Sequence, residues 1–316
     1  MVRKTLADGT VKVYRYAATS DPSPRFREDS LGALILAYKA SPEWLRLADA
    51  TRATYATYLR VLEADPGAEV RRIARRDILA LRDAIASTRG PGAATGFTRA
   101  ASALFGWAVD REWIDTSPVH RIKALPKTAL PTWTAAEVRL ALDHLPEPFR
   151  RAVFLAAITG QRRGDLVAMR WADYDGAALR FHQQKTGRKM TLPLPTKARH
   201  VLDGWREQAT ADTILTDDTG APWVAQRLTE RLGRLLVKIE GMRPHLGLHG
   251  IRKFRATELA SAGASVHQIA AVTGHKTLAM VALYTAEADQ ERLAGEVGKR
   301  LSPVVRLSRK PLKKRG

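Results

Sequence analysis

From Ser30 onward, apolar residues return at spacings of three and four. The stretches are SLGALILAYKASPEWLRLA, TRATYATYLRVLEAD, RRDILALRDAIAS and ATGFTRAASALFGWAVDREW. This is the stripe of helices that bury one face. Asp65-Pro66-Gly67 and Arg89-Gly90-Pro91-Gly92 interrupt the stripe and read as breaks between helices. The pattern predicts an all-α bundle of four or five helices over residues 30–122. Ahead of it the period changes to two. VKVYRY alternates as a strand does, and LADGT supplies an Asp-Gly turn, so residues 1–29 are expected to form a short N-terminal hairpin or arm. Its basic residues are Arg3, Lys4, Lys12 and Arg15.

The Pro-containing stretch KALPKTALPTW marks a linker at 123–132. Thr134, with Glu137 three residues on, has the spacing of a capping box that opens a new helix. PEPFRRAVFLAAITG reads as a second helix and RGDLVAMRWADYD as a third, short one. The pattern then alternates over ALRFHQQ and MTLPLP, with KTGRK as the turn of a second hairpin, and helices resume from Thr196. The fold class expected is mainly α with a small β-hairpin: an all-α bundle, then a mixed α+β domain over 133–301 and a basic tail at 302–316.

Composition narrows the function classes. A length of 316 residues, 45 % of them hydrophobic, suits two domains with real cores. No apolar run approaches the ~20 residues that span a bilayer. MVRKTLADGTVKVYRY has no apolar core of a secretory leader, so none is expected. The absence of cysteine excludes disulfides, thiolate metal sites and cysteine nucleophiles, and fits a cytoplasmic setting. Lys and Arg number 52 against 32 Asp and Glu, a net charge of +20. Eight of those positive charges lie from residue 299 onward with no acidic residue among them, which leaves +12 on the rest. A basic excess spread along the chain points to a polyanionic partner, nucleic acid first.

The candidate chemistry lies at the edges of these elements. ITGQRRGDLVAMRW puts Arg162 just after a Gly turn, at a helix start. QQKTGRK carries Lys185 in the hairpin turn. LHGIRK sets His249 and Arg252 one helical turn apart, so both can face one point. TGHKTLAMVALYT places His275 after a glycine and Tyr284 nine residues later. Singly, each has an ordinary explanation: a surface Arg, a solvated Lys, a packed Tyr. In this order they are far more specific.

The C-terminal half, from about Trp133 to Leu301, resembles the catalytic domain of the tyrosine recombinases, also called the phage integrase family. TGQRRGDLVAMRW resembles its first arginine box, QQKTGRK its lysine hairpin, LHGIRKFRATELASAG its HxxR box and TGHKTLAMVALYT its tyrosine box. The resemblance implies a catalytic set of Arg162, Lys185, His249, Arg252, His275 and Tyr284, with Asp165 as a supporting acid. The helical half resembles the family's core-binding domain more loosely. Arg52, Tyr55 and Arg99 are its candidate DNA contacts.

The residue types suit phosphoryl transfer. Attack on a phosphodiester adds charge to the nonbridging oxygens. Metal nucleases neutralise it with Mg²⁺ held by carboxylates, and no such carboxylate cluster is evident here. Two arginines can do the same work, since their planar forks bind phosphate and stay charged. No metal and no cofactor are therefore expected. A phenol has a pKa of about 10, so it forms an ester that a 5′-hydroxyl can reverse. Tyr284 is then the nucleophile that forms a 3′-phosphotyrosine. Lys185 is the acid for the leaving 5′-oxygen, His249 the general base, and His275 a hydrogen-bond partner of a nonbridging oxygen. The resemblance further implies double-stranded DNA attachment sites and a homotetramer on DNA joined through the helix after Tyr284. It also implies DNA-bending or directionality accessory proteins, nucleoid association and no membrane. The expected role is integration and excision of a prophage or genomic island through a Holliday junction. The rival roles are chromosome-dimer resolution and a type IB-like topoisomerase. From a different class, a catalytically inactive DNA-binding protein remains.

Overall fold

A computed structural model describes the backbone of residues 2–5 and 11–14, and residues 26–126, 130–282 and 295. Contacts divide the chain into Met1–Thr128 and Ala129–Gly316.

In the first unit, β1 (Val2–Thr5) pairs antiparallel with β2 (Val11–Tyr14), Val2 facing Tyr14. The Asp-Gly turn between them and the side chains of Arg3, Lys4, Lys12 and Arg15 lie outside the described residues. Four helices follow: α1 (Leu31–Ala40), α2 (Pro42–Leu45), α3 (Asp49–Leu62) and α4 (Arg75–Asp110). Ser30 caps α1 by accepting from the Ala33 amide at 3.3 Å. Leu34, Leu59, Ile78, Phe97, Leu104 and Phe105 are fully buried at the centre. Alanines 94, 100, 101 and 108 on α4 are buried as well, which lets the neighbouring helices approach closely. The Tyr38 and Trp44 rings meet edge to face with centroids 5.3 Å apart, and the Trp107 ring centroid lies 5.7 Å from that of Tyr38. The expected break falls at Gly90, where two helical runs meet across a kink. Gly90 adopts φ 81° and ψ 167°, and Pro91 starts the next helical run directly, as a proline in a first turn can.

The second unit holds α5 (Ala135–His144), α6 (Glu147–Thr159), α7 (Arg163–Ala168), β3 (Ala178–His182), β4 (Lys189–Pro193), α8 (Thr196–Glu207), α9 (Ala225–Leu236), α10 (Leu248–Ser261) and α11 (Val266–Thr273). The capping box forms as its spacing predicts: Thr134 N–H donates to Glu137 at 2.8 Å, and Glu137 N–H donates to Thr134 Oγ1 at 3.2 Å. Arg243 then grips the Glu137 carboxylate with Nε at 2.5 Å and Nη2 at 2.8 Å. That guanidinium is the main reason the carboxyl sits below its ordinary range. Antiparallel β3 and β4 bury Leu179 and Phe181 on one strand and Met190 and Leu192 on the other, while Arg180 and His182 face out. Leu228, Leu232 and Leu236, four apart on α9, complete the main core.

Helix α10 lies between two cores. Ile251 belongs to the main one. Ala256 and Ala260 pack with Ile269 and Ala270 of α11 and with Val281 in a second, smaller one. The N-terminus of α10 is pinned by the segment before α5: Trp133 Nε1 donates to the Gly247 carbonyl at 3.1 Å. A Cβ on Gly250 would come within 2.8 Å of the Trp133 ring. The helix that carries His249 and Arg252 is thereby fixed along its whole length.

Candidate active site

Helix α6 ends at Gly160, whose φ of 64° is left-handed and so favours glycine. The close approach of Arg255 Cγ, 3.1 Å from where a Cβ would stand, adds a second reason for glycine. The chain crosses Gln161 and reaches Arg162, the N-cap of α7. The Arg162 side chain is about a quarter exposed, at 24 %. Its Nη1 donates to Gln183 Oε1 at 3.1 Å and stands 3.9 Å from Asp165 Oδ2. Asp165, buried one turn along, accepts from the Gln184 amide at 2.8 Å. The supporting acid expected from the sequence thus ties α7 to the β3–β4 turn.

That turn runs over residues 183–188. Gln183 N–H donates to the Arg188 carbonyl at 2.9 Å, and Gly187 N–H to the Gln183 carbonyl at 2.8 Å. Gly187 takes a φ of 66°. Lys185 is exposed at the tip, and nothing here brings its amine against the arginines. It rides on a turn whose base is buried.

On α10, His249 faces out in the first turn, while Arg252 is 1 % exposed. Arg252 Nη1 donates to the Gly160 carbonyl at 2.8 Å and to the Thr273 carbonyl at 2.6 Å. One guanidinium therefore joins the end of α6 to the end of α11. Carbonyls orient a guanidinium without cancelling its charge. Helix α11 ends at Gly274, with φ 71°, and the chain delivers His275 to a buried position. His275 Nδ1 lies 2.6 Å from Thr273 Oγ1. Arg188 Nη1 donates to the His275 carbonyl at 3.3 Å, a second tie from the hairpin.

Both histidines are pushed below the ordinary imidazole range. Burial pushes His275 down to about 4, and the charges of Arg252, Arg162 and His249 push the same way. His249 is also lowered, by loss of water first and then by Lys253, Arg252 and Arg162. Four of the expected residues, Arg162, His249, Arg252 and His275, therefore share one cationic field. Such a field can hold an anion and stabilise charge that grows on it.

Tyr284 lies outside the described residues, as do the helix expected after it and the basic tail. Residues 278–282 are helical, with Val281 in the small core. In the first unit Arg52 is engaged locally: it pairs with Asp49 on its own helix and donates to the Leu45 carbonyl at the end of α2 at 3.3 Å. Tyr55 is half-buried against the bundle core. Arg99 is exposed at a shallow cavity of about 260 Å³ that it shares with Thr98, Ser102 and Arg121. Sequence reasoning missed Gln161, Gln183 and Thr273. One signal was present for Gln183, which continues the inward phase of Leu179 and Phe181 at a period of two.

The sequence profile of the Phage integrase family matches residues 132–291. The integrase of Escherichia phage HK022 is 30 % identical over 123 residues, which cover 35 % of this chain and 34 % of that protein. The integrase of Enterobacteria phage 434 is 30 % identical over 132 residues, 38 % of this chain and 37 % of that one. The chain thus spans about a third of the length of the curated relatives it matches. Among solved structures, a lambda integrase (75–356) dimer bound to a COC′ core site superposes with a TM-score of 0.69 and 24 % identity. It covers 79 % of this chain and 97 % of that one. At these identities the likeness establishes the fold. Among the described residues no helix is long and apolar enough to cross a membrane.

Proposed function

Because this chain belongs to the phage integrase family, the tyrosine recombinases, we propose that it is a site-specific recombinase that cuts and rejoins double-stranded DNA. The observation that carries this reading is the convergence of Arg162, Arg252, His249 and His275 in one field, with Arg252 held between the Gly160 and Thr273 carbonyls and both imidazoles pushed below their ordinary range. A scissile phosphate bound there meets two permanent cations. As Tyr284 attacks, the P–O bond to the 5′-oxygen breaks, and a 3′-phosphotyrosine forms with no change in the number of ester bonds. Arg162 and Arg252 take up the charge on the nonbridging oxygens. Neutral His249 is poised to receive the phenolic proton, and Lys185 gives one to the departing 5′-oxygen. His275 holds a nonbridging oxygen. The freed 5′-hydroxyl of a partner strand reverses the step and joins the exchanged ends through a Holliday junction.

The assembly follows by likeness. A lambda integrase tetramer has been solved on a Holliday junction, with a TM-score of 0.69 and 24 % identity, and we extend that stoichiometry to this chain. The helical bundle would serve as core-binding domain, the chain would be nucleoid-associated, and its role would be integration and excision of a prophage or genomic island.

The test uses nicked duplexes carrying a candidate attachment site, so that the short strand 3′ to the break, which bears the freed 5′-hydroxyl, diffuses away and traps the intermediate. In EDTA, wild-type protein should give an SDS-resistant adduct at a DNA 3′ end, and Tyr284→Phe should give none. Binding without an adduct would favour the inactive DNA-binding protein. An adduct abolished by EDTA would overturn metal independence.

A further inference from the structure

Two glutamines are fully buried beside this site, and their hydrogen bonds leave them one orientation. Gln161 Nε2 donates to the Thr159 carbonyl at 3.0 Å and to the Val272 carbonyl at 2.8 Å. Carbonyls only accept, so the amide group of Gln161 must face them, and its Oε1 must face the other way. Gln183 Nε2 meets that oxygen at 2.7 Å and reaches the Thr273 carbonyl at 3.2 Å. Gln183 Oε1 is then committed to two donors, Arg162 Nη1 at 3.1 Å and Thr186 Oγ1 at 2.9 Å. Turning either amide over would set oxygen against oxygen at several contacts at once. The chain of bonds has a direction, donated from the guanidinium of Arg162 through Gln183 and Gln161 to the Thr159 and Val272 carbonyls.

The pair touches the segments of Arg162, Lys185 and His275 and shares a carbonyl with Arg252. Gln161 precedes Arg162. Gln183 stands two residues before Lys185, at the base of its turn. The Thr273 carbonyl it bonds also receives Arg252 and lies two residues before His275. Gly274 makes room for this contact, since a Cβ there would overlap the Gln183 amide. A leucine or methionine could fill the same volume. A satisfied amide network instead sets distances and angles.

We propose that Gln183, oriented by Gln161, is a positioning residue: it holds Arg162, the Lys185 hairpin and the 273–275 turn in one register around the scissile phosphate. This rests on the recombinase reading above. Gln183→Met keeps length and volume while removing both donors and the acceptor, so it tests position rather than packing.

Single-turnover adduct formation is measured on three duplexes. The first has the ordinary scissile phosphodiester. The second carries a methylphosphonate there, which is neutral and lessens the need for an arginine. The third has sulfur as the 5′-bridging atom, whose thiolate leaves without a proton and lessens the need for Lys185. Gln183→Met should slow the first by about 10²-fold at unchanged DNA affinity, the size expected of an ångström-scale misplacement. Its deficit should shrink on the second and third. An equal deficit on all three, or none on the first, would overturn the proposal.

Should Gln183→Met unfold, Thr186→Val removes one donor to Gln183 Oε1 from the turn. It must give the same pattern at lower amplitude, and its failure to do so counts equally against the idea. Wild type and Tyr284→Phe run alongside. If wild type gives no Tyr284-dependent adduct, the recombinase reading fails. Amide hydrogen exchange then still judges the network. In Gln183→Met, or in Thr186→Val if the first does not fold, exchange should accelerate at Gly187 and His275 while β3 and β4 stay protected. Unchanged exchange at both would overturn it.

Discussion

Thr273 Oγ1 lies 2.6 Å from the Ile269 carbonyl oxygen and 2.6 Å from His275 Nδ1. A hydroxyl has one proton. Given to the carbonyl, as the helical back-bond requires, it obliges Nδ1 to carry the imidazole proton, and Nε2 then holds the lone pair. An Nε2 lone pair repels a phosphate oxygen. If His275 donates to a phosphate oxygen as proposed, DNA binding must move the proton to Nε2, either by turning the Thr273 hydroxyl onto Nδ1 or by charging the ring. ¹⁵N NMR of His275 should report the neutral Nδ1–H tautomer in the free protein and a protonated Nε2 in the duplex complex. Thr273→Val should lose the Nδ1–H preference. The same tautomer with and without DNA would remove His275 as a donor to phosphate.

The pH dependence of stability has a definite sign. Burial holds His275 down to about 4 in the fold, against about 6.5 for an ordinary imidazole. The unfolded chain therefore takes up the proton first. The stabilisation is fully present above pH 6.5 and drains away as pH falls towards 4, by about 2 kcal/mol between pH 7 and pH 5. Shifted carboxyls such as Glu137 act below this window. Urea unfolding at the two pH values should reveal the drop in wild type and a smaller one in His275→Gln. Parallel curves would mean that the ring reaches water when protonated.

Gly274 should not tolerate a side chain. Its φ of 71° costs an L-residue about 1–2 kcal/mol, and a Cβ meets the Gln183 amide besides. Gly274→Ala is expected to lower the melting temperature and to slow adduct formation more than that loss of stability explains. A variant that melts like wild type would indicate that the amide can retreat.

The parts of this molecule set by local periodicity were readable in advance. Leu228, Leu232 and Leu236 repeat every four residues and line one buried face. The Thr134–Glu137 box starts its helix as its spacing demands. Arg89-Gly90-Pro91-Gly92 marks its break because Gly90 takes a positive φ that other residues resist and Pro91 suits the first turn of the run that follows. The order of Arg162, Lys185, His249 and Arg252 was legible because each is a chemically distinctive residue in or near the edge of an element. Gln161 and Thr273 were not. Their burial depends on the Val272 and Ile269 carbonyls, supplied by a fold that the local pattern does not encode.

The two candidate arginines of the bundle should behave differently. Arg52 already pairs with Asp49, whereas Arg99 is exposed beside Arg121. If Arg99 meets a phosphate, Arg99→Ala should weaken binding to all duplexes alike and reduce the slope of log K against log salt by about one. Arg52→Ala should leave the slope unchanged. Filter or anisotropy titrations over a salt series measure both, and a reduced slope in Arg52→Ala would mean that Asp49 releases its partner on DNA.

Lys185 can be separated from the residues that place it. Lys185→Ala leaves the Asp165–Gln184 and Gln183–Arg162 bonds untouched, so the arginine side of the site stays built. Losing a general acid should slow cleavage of the ordinary phosphodiester by about 10²–10⁴-fold. A 5′-bridging sulfur leaves as a thiolate of far lower basicity than an alkoxide, so on that substrate most of the deficit should vanish. A scissile methylphosphonate changes the charge on phosphorus but not the leaving group, and should restore nothing. Lys185→Ala therefore responds to one substitution and Gln183→Met to both. If the sulfur substrate does not rescue Lys185→Ala, the exposed lysine at the hairpin tip is a phosphate contact, and the acid for the 5′-oxygen is another group.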